Sequence, residues 1–266
     1  MTLIRSTIFS SRLPLAWVSI VTAVFCALGS TSSIALACPF CTAVKQTFTE
    51  EMEAMDVVVL AQLVKPAVIP ANVQSGQTNQ EVAKALFKVV RVIKGDSKIE
   101  SNSELETLYF GDEDKKSSFL VMGVDPPNLF LSTPLKLSER AKNYVARLPS
   151  LPKEGPDRLA FFQDFLADED PILAGDAYDE FARAPYGDVK GLKSKMDHDQ
   201  LVEWIKDANT TASRKRLYLT MLGVCGGKND LPLLEGMIKS SDPVDKSGLD
   251  ALIACYLTLS GEAGMP

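Results

Sequence analysis

The pattern of apolar and polar residues changes period near the middle of the chain, and its first half follows the two-residue period of β-strands. Residues 85–96, ALFKVVRVIKGD, alternate in this way and stop at Gly95-Asp96, a dipeptide typical of turns. The other predicted strands are residues 55–64, 104–110, 117–124 and 128–133. Residues 137–148 then show helical spacing behind Ser138, a favourable N-cap. Five strands and one helix predict a small β-barrel.

The second half of the chain follows the 3.6-residue period of helices. Six helical segments are predicted, at residues 158–167, 171–183, 198–207, 213–224, 229–239 and 246–259. Residues 169–182 and 241–256 are imperfect copies of each other, and each opens with Asp-Pro, which suits a first helical turn. Three helix pairs of this length predict an α-solenoid, in which neighbouring pairs bury their apolar faces against each other.

The N-terminus carries the features of a secretory signal peptide. Residues 1–37 contain no acidic residue, an apolar run over residues 13–28, and Ala35-Leu36-Ala37 directly before Cys38. We expect cleavage between Ala37 and Cys38, and export to the periplasm, cell surface or medium. Because no later run approaches about 18 consecutive apolar residues, we expect no membrane span in the mature chain.

The predicted domain plan has three parts after the signal peptide. The barrel domain covers residues 38–148 and the helical repeat domain covers residues 158–266. Between them lies PSLPKEGPD, residues 149–157, which carries three prolines and no periodicity. The fold class is therefore predicted as two-domain α+β.

The net charge of the chain limits the classes of partner that we expect. The full chain has a net charge of −6, and removal of Arg5 and Arg12 with the signal peptide leaves −8. Such an acidic balance argues against nucleic acid or an anionic membrane as the partner, since both need a basic surface. We expect a protein partner instead.

The sequence C-P-F-C, residues 38–41, is the most conspicuous candidate for chemistry. A thioredoxin-type dithiol needs a strand in front of the motif, but Cys38 is the predicted chain start. Thr42 stands where haem attachment needs His, zinc would need two further ligands, and the order Ala35-Leu36 does not suit a lipoprotein signal. A local disulfide or clamp between Cys38 and Cys41 is the favoured interpretation. Redox activity of the pair is the alternative.

The remaining candidates favour a protein without catalytic activity. His198, the single histidine, stands between two aspartates at a helix start, where polar residues usually cap the helix or face water. Cys225 and Cys255 lie on apolar helices and are expected to be buried free thiols, although a bridge between neighbouring repeats stays open. No hydrolase, metalloprotease or dinucleotide motif is present. We expect no catalytic residue, no metal and no cofactor.

Two resemblances to known families add to this interpretation. Residues 158–266 resemble HEAT-type repeats, in particular those of exported bacterial HEAT-repeat proteins, in DAYDEFARAPYGDV, RLYLTMLGVCG and SGLDALIACYLTLSGEAG. The first domain is similar to the netrin-like domain of tissue inhibitors of metalloproteinases, an OB-type barrel, in Cys38, DVVVLAQLV and FKVVRVIKGD. That family begins C-x-C, whereas this chain has C-P-F-C, and its partner cysteines are missing because no Cys lies between 41 and 225.

The resemblances imply a function in binding. Solenoids offer a broad concave surface and OB-type barrels an open face, so both halves suit recognition of a protein partner. The netrin-like resemblance also implies a second possibility, metalloprotease inhibition through the free amine and carbonyl of Cys38. The sequence therefore predicts an exported binding or scaffolding protein, with redox activity or protease inhibition as alternatives.

Overall fold

The computed structural model describes residues 45–67, 84–111, 114 and 116–261. The predicted signal peptide, its cleavage site and the pair Cys38 and Cys41 lie outside these residues. The described part is a mixed α+β structure, with one antiparallel, barrel-like sheet followed by a helical region.

The described sheet has six strands in the order β3-β2-β1-β4, with β5 and β6 both paired to β4. The strands are β1 Val57–Lys65, β2 Ala85–Lys94, β3 Glu104–Thr107, β4 Ser118–Val124, β5 Phe130–Leu131 and β6 Leu135–Leu137. The pairing of β1 with β2 shifts register at three places along the strand. Such irregularities increase the local twist and bend of the strands. They account for the curvature of the sheet.

The two central strands are buried on both faces. Val59 of β1 and Phe119 of β4 point into the barrel, where Phe119 packs edge-to-face on Phe87 and Tyr109 with ring centroids 5.2 and 5.0 Å away. Val58 of β1 instead belongs to a second apolar cluster that continues through the helices. Burial on both faces explains why these strands have continuous apolar runs rather than strict alternation.

The five predicted strands all form, with two changes at the ends. β3 stops at Thr107 and β5 has only two residues, while β6 was not predicted. The predicted turn at Gly95 is confirmed. Gly95 has φ +88°, and a Cβ there would lie 2.6 Å from the carbonyl oxygen of Asp56. Only glycine fits this turn without strain.

The described residues contain nine α-helices and three short 3₁₀ turns. The helices are α1 Phe48–Ala54, α2 Glu139–Arg147, α3 Pro156–Gln163, α4 Pro171–Arg183, α5 Tyr186–Gly191, α6 His198–Lys206, α7 Ala212–Cys225, α8 Leu231–Lys239 and α9 Leu249–Ser260. The 3₁₀ turns are Leu148–Ser150, Lys193–Lys195 and Lys228–Asp230. Every predicted helical segment contains a helix, and Ser138 caps α2 as expected.

The two predicted Asp-Pro copies differ in the structure. In the first, Asp170 caps α4 and Pro171 is its first residue, as predicted. In the second, α9 begins only at Leu249, after Gly248 in the left-handed region with φ +75°. Asp242 instead accepts a hydrogen bond from the backbone N–H of Val244 at 2.8 Å, within a turn. Asp170 accepts the same bond from Ile172 at the start of α4, so this bond does not decide between a turn and a helix. The left-handed Gly248 separates the turn from α9.

Helix α1 was not predicted, although its start has a recognisable signal. Thr47 and Glu50 form a capping box, in which each side chain accepts a hydrogen bond from the other residue's backbone N–H, at 3.3 and 3.1 Å. The helix buries Phe48 and Met52 in the cluster that also contains Leu120 of β4 and Phe181 of α4. Helix α1 is therefore packed between the sheet and the helical region.

Sheet and helices share this apolar cluster, which runs from Val58 in β1 to Leu252 in α9. The described residues from Lys45 onward belong to one compact unit. The separation into two domains at residues 149–157 stays a prediction, as does the solenoid arrangement of the helices.

Candidate functional site

Helix α1 is attached to the helical region by a buried carboxylate. Asp176 of α4 accepts hydrogen bonds from the backbone N–H of Phe48 at 2.7 Å and from the hydroxyl of Tyr144 at 2.5 Å. Burial raises the pKa of Asp176 to about 6, against the opposing effect of these two hydrogen bonds. Burial and the adjacent carboxylate also raise the pKa of Tyr144, so its hydroxyl stays protonated and donates.

A second buried contact lies one helical turn further along α4. Arg158 Nη2 of α3 donates to both carboxylate oxygens of Glu180, at 2.8 and 2.7 Å. The same nitrogen donates to Thr49 Oγ1 of α1 at 2.9 Å, and the guanidinium stacks over Phe162. The side chains of Arg158 and Glu180 are only 10 and 7% exposed. The pair therefore joins three helices in a largely water-free setting.

A cleft of about 650 Å³ opens beside these contacts, between α1, the loop before β6 and the start of α4. We call it the α1 cleft. Its apolar wall contains Phe48, Met122, Leu135 and Ile172. Mostly apolar clefts with a few converging polar groups are the usual form of a ligand site.

Three carboxylates, Glu51, Asp176 and Asp179, face the α1 cleft, against one cation, Lys45. Burial raises the pKa of each carboxylate. For Asp179 this effect outweighs the backbone N–H of Lys45 and the charge of Arg183, both of which favour the ionised form. Asp176 is buried and Glu51 and Asp179 are half-buried, and carboxylates with reduced hydration gain from a cation that arrives with a ligand. The cleft is therefore suited to a positively charged group with an apolar neighbour.

A larger opening, of about 700 Å³, lies between α2, α3 and α6. Four carboxylates line it, and two of them, Asp168 and Asp170, are engaged within the fold. Asp168 forms an ion pair with Arg140, while Asp170 caps α4 and accepts a hydrogen bond from Ser138 Oγ at 2.7 Å. Because the wall of the α1 cleft is more apolar than that of this opening, the α1 cleft is the better candidate for a ligand site.

The sequence-predicted site residues lie elsewhere. Cys38 and Cys41 fall outside the described residues, so disulfide, redox and inhibitor interpretations stay predictions. His198 begins α6 and contacts Asp199 at 3.0 Å and Asp230 at 2.8 Å, and both carboxylates raise its pKa. It is partly exposed, and it links α6 to the turn before α8.

Cys225 and Cys255 are free thiols, as expected, but only Cys255 is buried, and Cys225 is half-buried. Burial raises the pKa of Cys225 and raises that of Cys255 to about 12. Within the described ranges, no three His, Cys, Asp or Glu side chains are arranged to hold a metal ion.

We expect both thiols to resist alkylation in the folded protein, since the thiolate is the reactive form. A short iodoacetamide pulse at pH 7.5, followed by tryptic mass spectrometry, separates the peptides of Cys225 and Cys255. Modification of Cys255 should be at least about 100-fold slower than in urea. Equal rates with and without urea would contradict the burial of this thiol.

The carboxylates of the α1 cleft were not predicted. The spacing of residues on α4 nevertheless indicates that Asp176 and Glu180 are buried. On α4, Leu173, Asp176, Ala177, Glu180 and Phe181 follow the spacing of a buried helical face, and all five are buried. A charged residue at a core-facing position needs a partner. The partners Tyr144 and Arg158 are distant in sequence and could not be assigned from it.

No family model, curated protein or solved structure matches the chain. The resemblances to HEAT-repeat proteins and to the netrin-like domain therefore stay predictions. Among the residues that the structure describes, no helix is both long enough and apolar enough to cross a membrane.

Proposed function

We propose that the protein is an exported, non-enzymatic binding module that recognises a protein partner through the α1 cleft. The partner would present a Lys or Arg side chain next to an apolar residue. The observation that carries this proposal is the convergence of Glu51, Asp176 and Asp179 on one mostly apolar cleft. An OB- or netrin-like barrel followed by a HEAT-like solenoid is the architecture that we propose for this scaffold.

The net charge supports the same kind of partner. A protein of net charge −6 attracts basic segments over a distance, and this raises the rate of encounter. The buried and half-buried carboxylates then provide specificity, because a neutral or acidic segment would bring them no further counter-charge.

Peptide binding to the full chain tests the proposal. We expect a labelled 12-residue peptide with an Arg-Leu-Lys centre to bind in fluorescence anisotropy, and the same peptide with Glu-Leu-Glu to bind at least about 10-fold more weakly. Glu51→Gln and Asp179→Asn should each weaken binding of the basic peptide by about 10-fold, since each removes one charge-assisted contact. Binding should also weaken from pH 7.5 to pH 5, as Asp176 becomes protonated.

Glu106→Gln is the matched control, because Glu106 is an exposed carboxylate on β3. This variant should bind the basic peptide as the unchanged protein does. Equal binding of the basic and acidic peptides would contradict the proposal. An equal loss in Glu106→Gln and Glu51→Gln would show non-specific attraction to the protein's net charge, and would also contradict it.

A further inference from the structure

We propose that a second groove, at the carboxyl end of α1, binds a small molecule with an unbranched apolar chain and one carboxylate group. The groove has a volume of about 260 Å³ and is lined by residues of α1, of β2 and of the segment after α2. We call it the Lys153 groove. It is separate from the α1 cleft, with which it shares no lining residue.

The walls of the Lys153 groove come from three parts of the fold. Met52 belongs to α1, Ile93 to the end of β2 and Leu148 to the 3₁₀ turn after α2, which Leu151 directly follows. Ile93 and Leu151 are half-buried at the opening, while Met52 and Leu148 are buried beneath them. The volume is just below the usual range for drug-sized ligands, so a short aliphatic chain is the fitting size.

The polar rim of the groove is mostly cationic. Lys94 Nζ donates to the carbonyls of Met52 and Glu53, at 3.1 and 2.8 Å, and so offsets the negative end of α1. Lys153 is exposed and makes no ion pair with any residue that the structure describes. This lysine is therefore free to meet an anion.

Two further donors line the groove with Lys153: the buried Arg158 and the half-buried Thr49. Arg158 also lines the groove, and its side chain is fixed by Glu180 and by the carbonyl of Pro152. Thr49 Oγ1 accepts a hydrogen bond from Arg158, which leaves the hydroxyl proton of Thr49 to donate elsewhere. Because Glu180 neutralises Arg158, Lys153 supplies the unpaired positive charge, and it favours a carboxylate over an amine or a neutral alcohol, with Thr49 as a further donor. Glu53 is the opposing charge at the rim.

Calorimetric titration of the full chain with octanoate, 1-octanol and octylamine tests this site. We expect saturable binding of octanoate and at least about fivefold weaker binding of the other two. Across butanoate, hexanoate and octanoate, affinity should rise roughly three- to fourfold per methylene until the groove is filled. Equal binding of octanol and octanoate, or no octanoate binding at 10 mM (about the weakest affinity worth assigning), would overturn the proposal.

Two variants test whether octanoate binds in the Lys153 groove. Lys153→Gln should weaken octanoate binding by about fivefold, and Leu151→Glu should weaken it by more than about 10-fold. Lys116→Gln, an exposed lysine next to β4, is the matched control and should have no effect. Circular dichroism shows whether Leu151→Glu folds. If Leu151→Glu does not fold, the surface variant Lys153→Gln still tests the site. Unchanged binding in Lys153→Gln would overturn the proposal.

The Glu51→Gln variant separates this site from the α1 cleft. It should lose the basic peptide yet bind octanoate as the unchanged protein does, since Glu51 lines only the α1 cleft of the two. A loss of octanoate binding in Glu51→Gln would assign the fatty acid to the α1 cleft and overturn the Lys153 groove, whether or not the peptide binds.

Discussion

Asp176→Ala is expected to lower the free energy of unfolding by about 2–5 kcal/mol. The change leaves two buried donors without an acceptor, the backbone N–H of Phe48 and the hydroxyl of Tyr144, and each unsatisfied group costs about 1–3 kcal/mol. Urea unfolding followed by circular dichroism measures the loss. Because Phe48 begins α1, that helix should become accessible to protease before the sheet does.

Asp176→Asn is the matched variant, since the amide oxygen still accepts a hydrogen bond from Phe48. We expect it to cost about 1 kcal/mol at pH 7 or to be neutral, because it also removes a poorly solvated charge. Asp96→Asn, in the exposed turn after β2, should change stability by less than about 0.5 kcal/mol. If Asp176→Ala were as mild as Asp96→Asn, the carboxylate would not be holding α1.

The pH dependence of stability gives the same carboxylate a second signature. The pKa of Asp176 is raised in the folded protein, from 3.8 to about 6, so the folded state binds the proton more tightly than the unfolded state. The contribution of Asp176 to the free energy of unfolding is therefore greatest below about pH 4. It falls by about 2–3 kcal/mol as the pH rises to about 6. Asp176→Asn should lack this fall, and identical pH profiles of the two proteins would contradict the assignment.

Helix and strand positions could be predicted wherever one local pattern dominates. The ten residues of β2 and the capped start of α2 are examples, because alternation and an N-cap act within a few residues of each other. The segment after Pro243 shows the limit of such reasoning. There Asp242 and Pro243 begin a turn, although Asp242 makes the same side-chain bond that Asp170 makes at the start of α4, so Asp-Pro alone does not decide the outcome.

The candidate site depends on contacts that no local pattern contains. Asp176 meets Phe48, which is 128 residues away, and Arg158 meets Thr49, which is 109 residues away. The spacing on α4 shows that Asp176 and Glu180 face the core, but their partners follow from how the sheet and helices pack. Helix α1 is short, and its capping box at Thr47 was the one local sign that it exists.

Glu180→Leu is expected to destabilise the protein by about 3–5 kcal/mol, because it leaves the buried guanidinium of Arg158 without its counter-charge. The double variant Arg158→Met with Glu180→Leu should recover most of this loss, since no isolated charge remains in the dry setting between α3 and α4. Urea unfolding of the unchanged protein, both single variants and the double variant gives the coupling energy of the pair.

A variant at Thr49 tests the link to α1 separately from the ion pair of Arg158 and Glu180. Thr49 receives its hydrogen bond from Arg158, so Thr49→Val removes the link to α1 and leaves the contact with Glu180 intact. We expect a cost of about 1 kcal/mol, without any change in the coupling of Arg158 and Glu180. If Glu180→Leu alone cost less than about 1 kcal/mol, the range for exposed pairs, water would be solvating Arg158. The rigid backing that the Lys153 groove requires would then be missing as well.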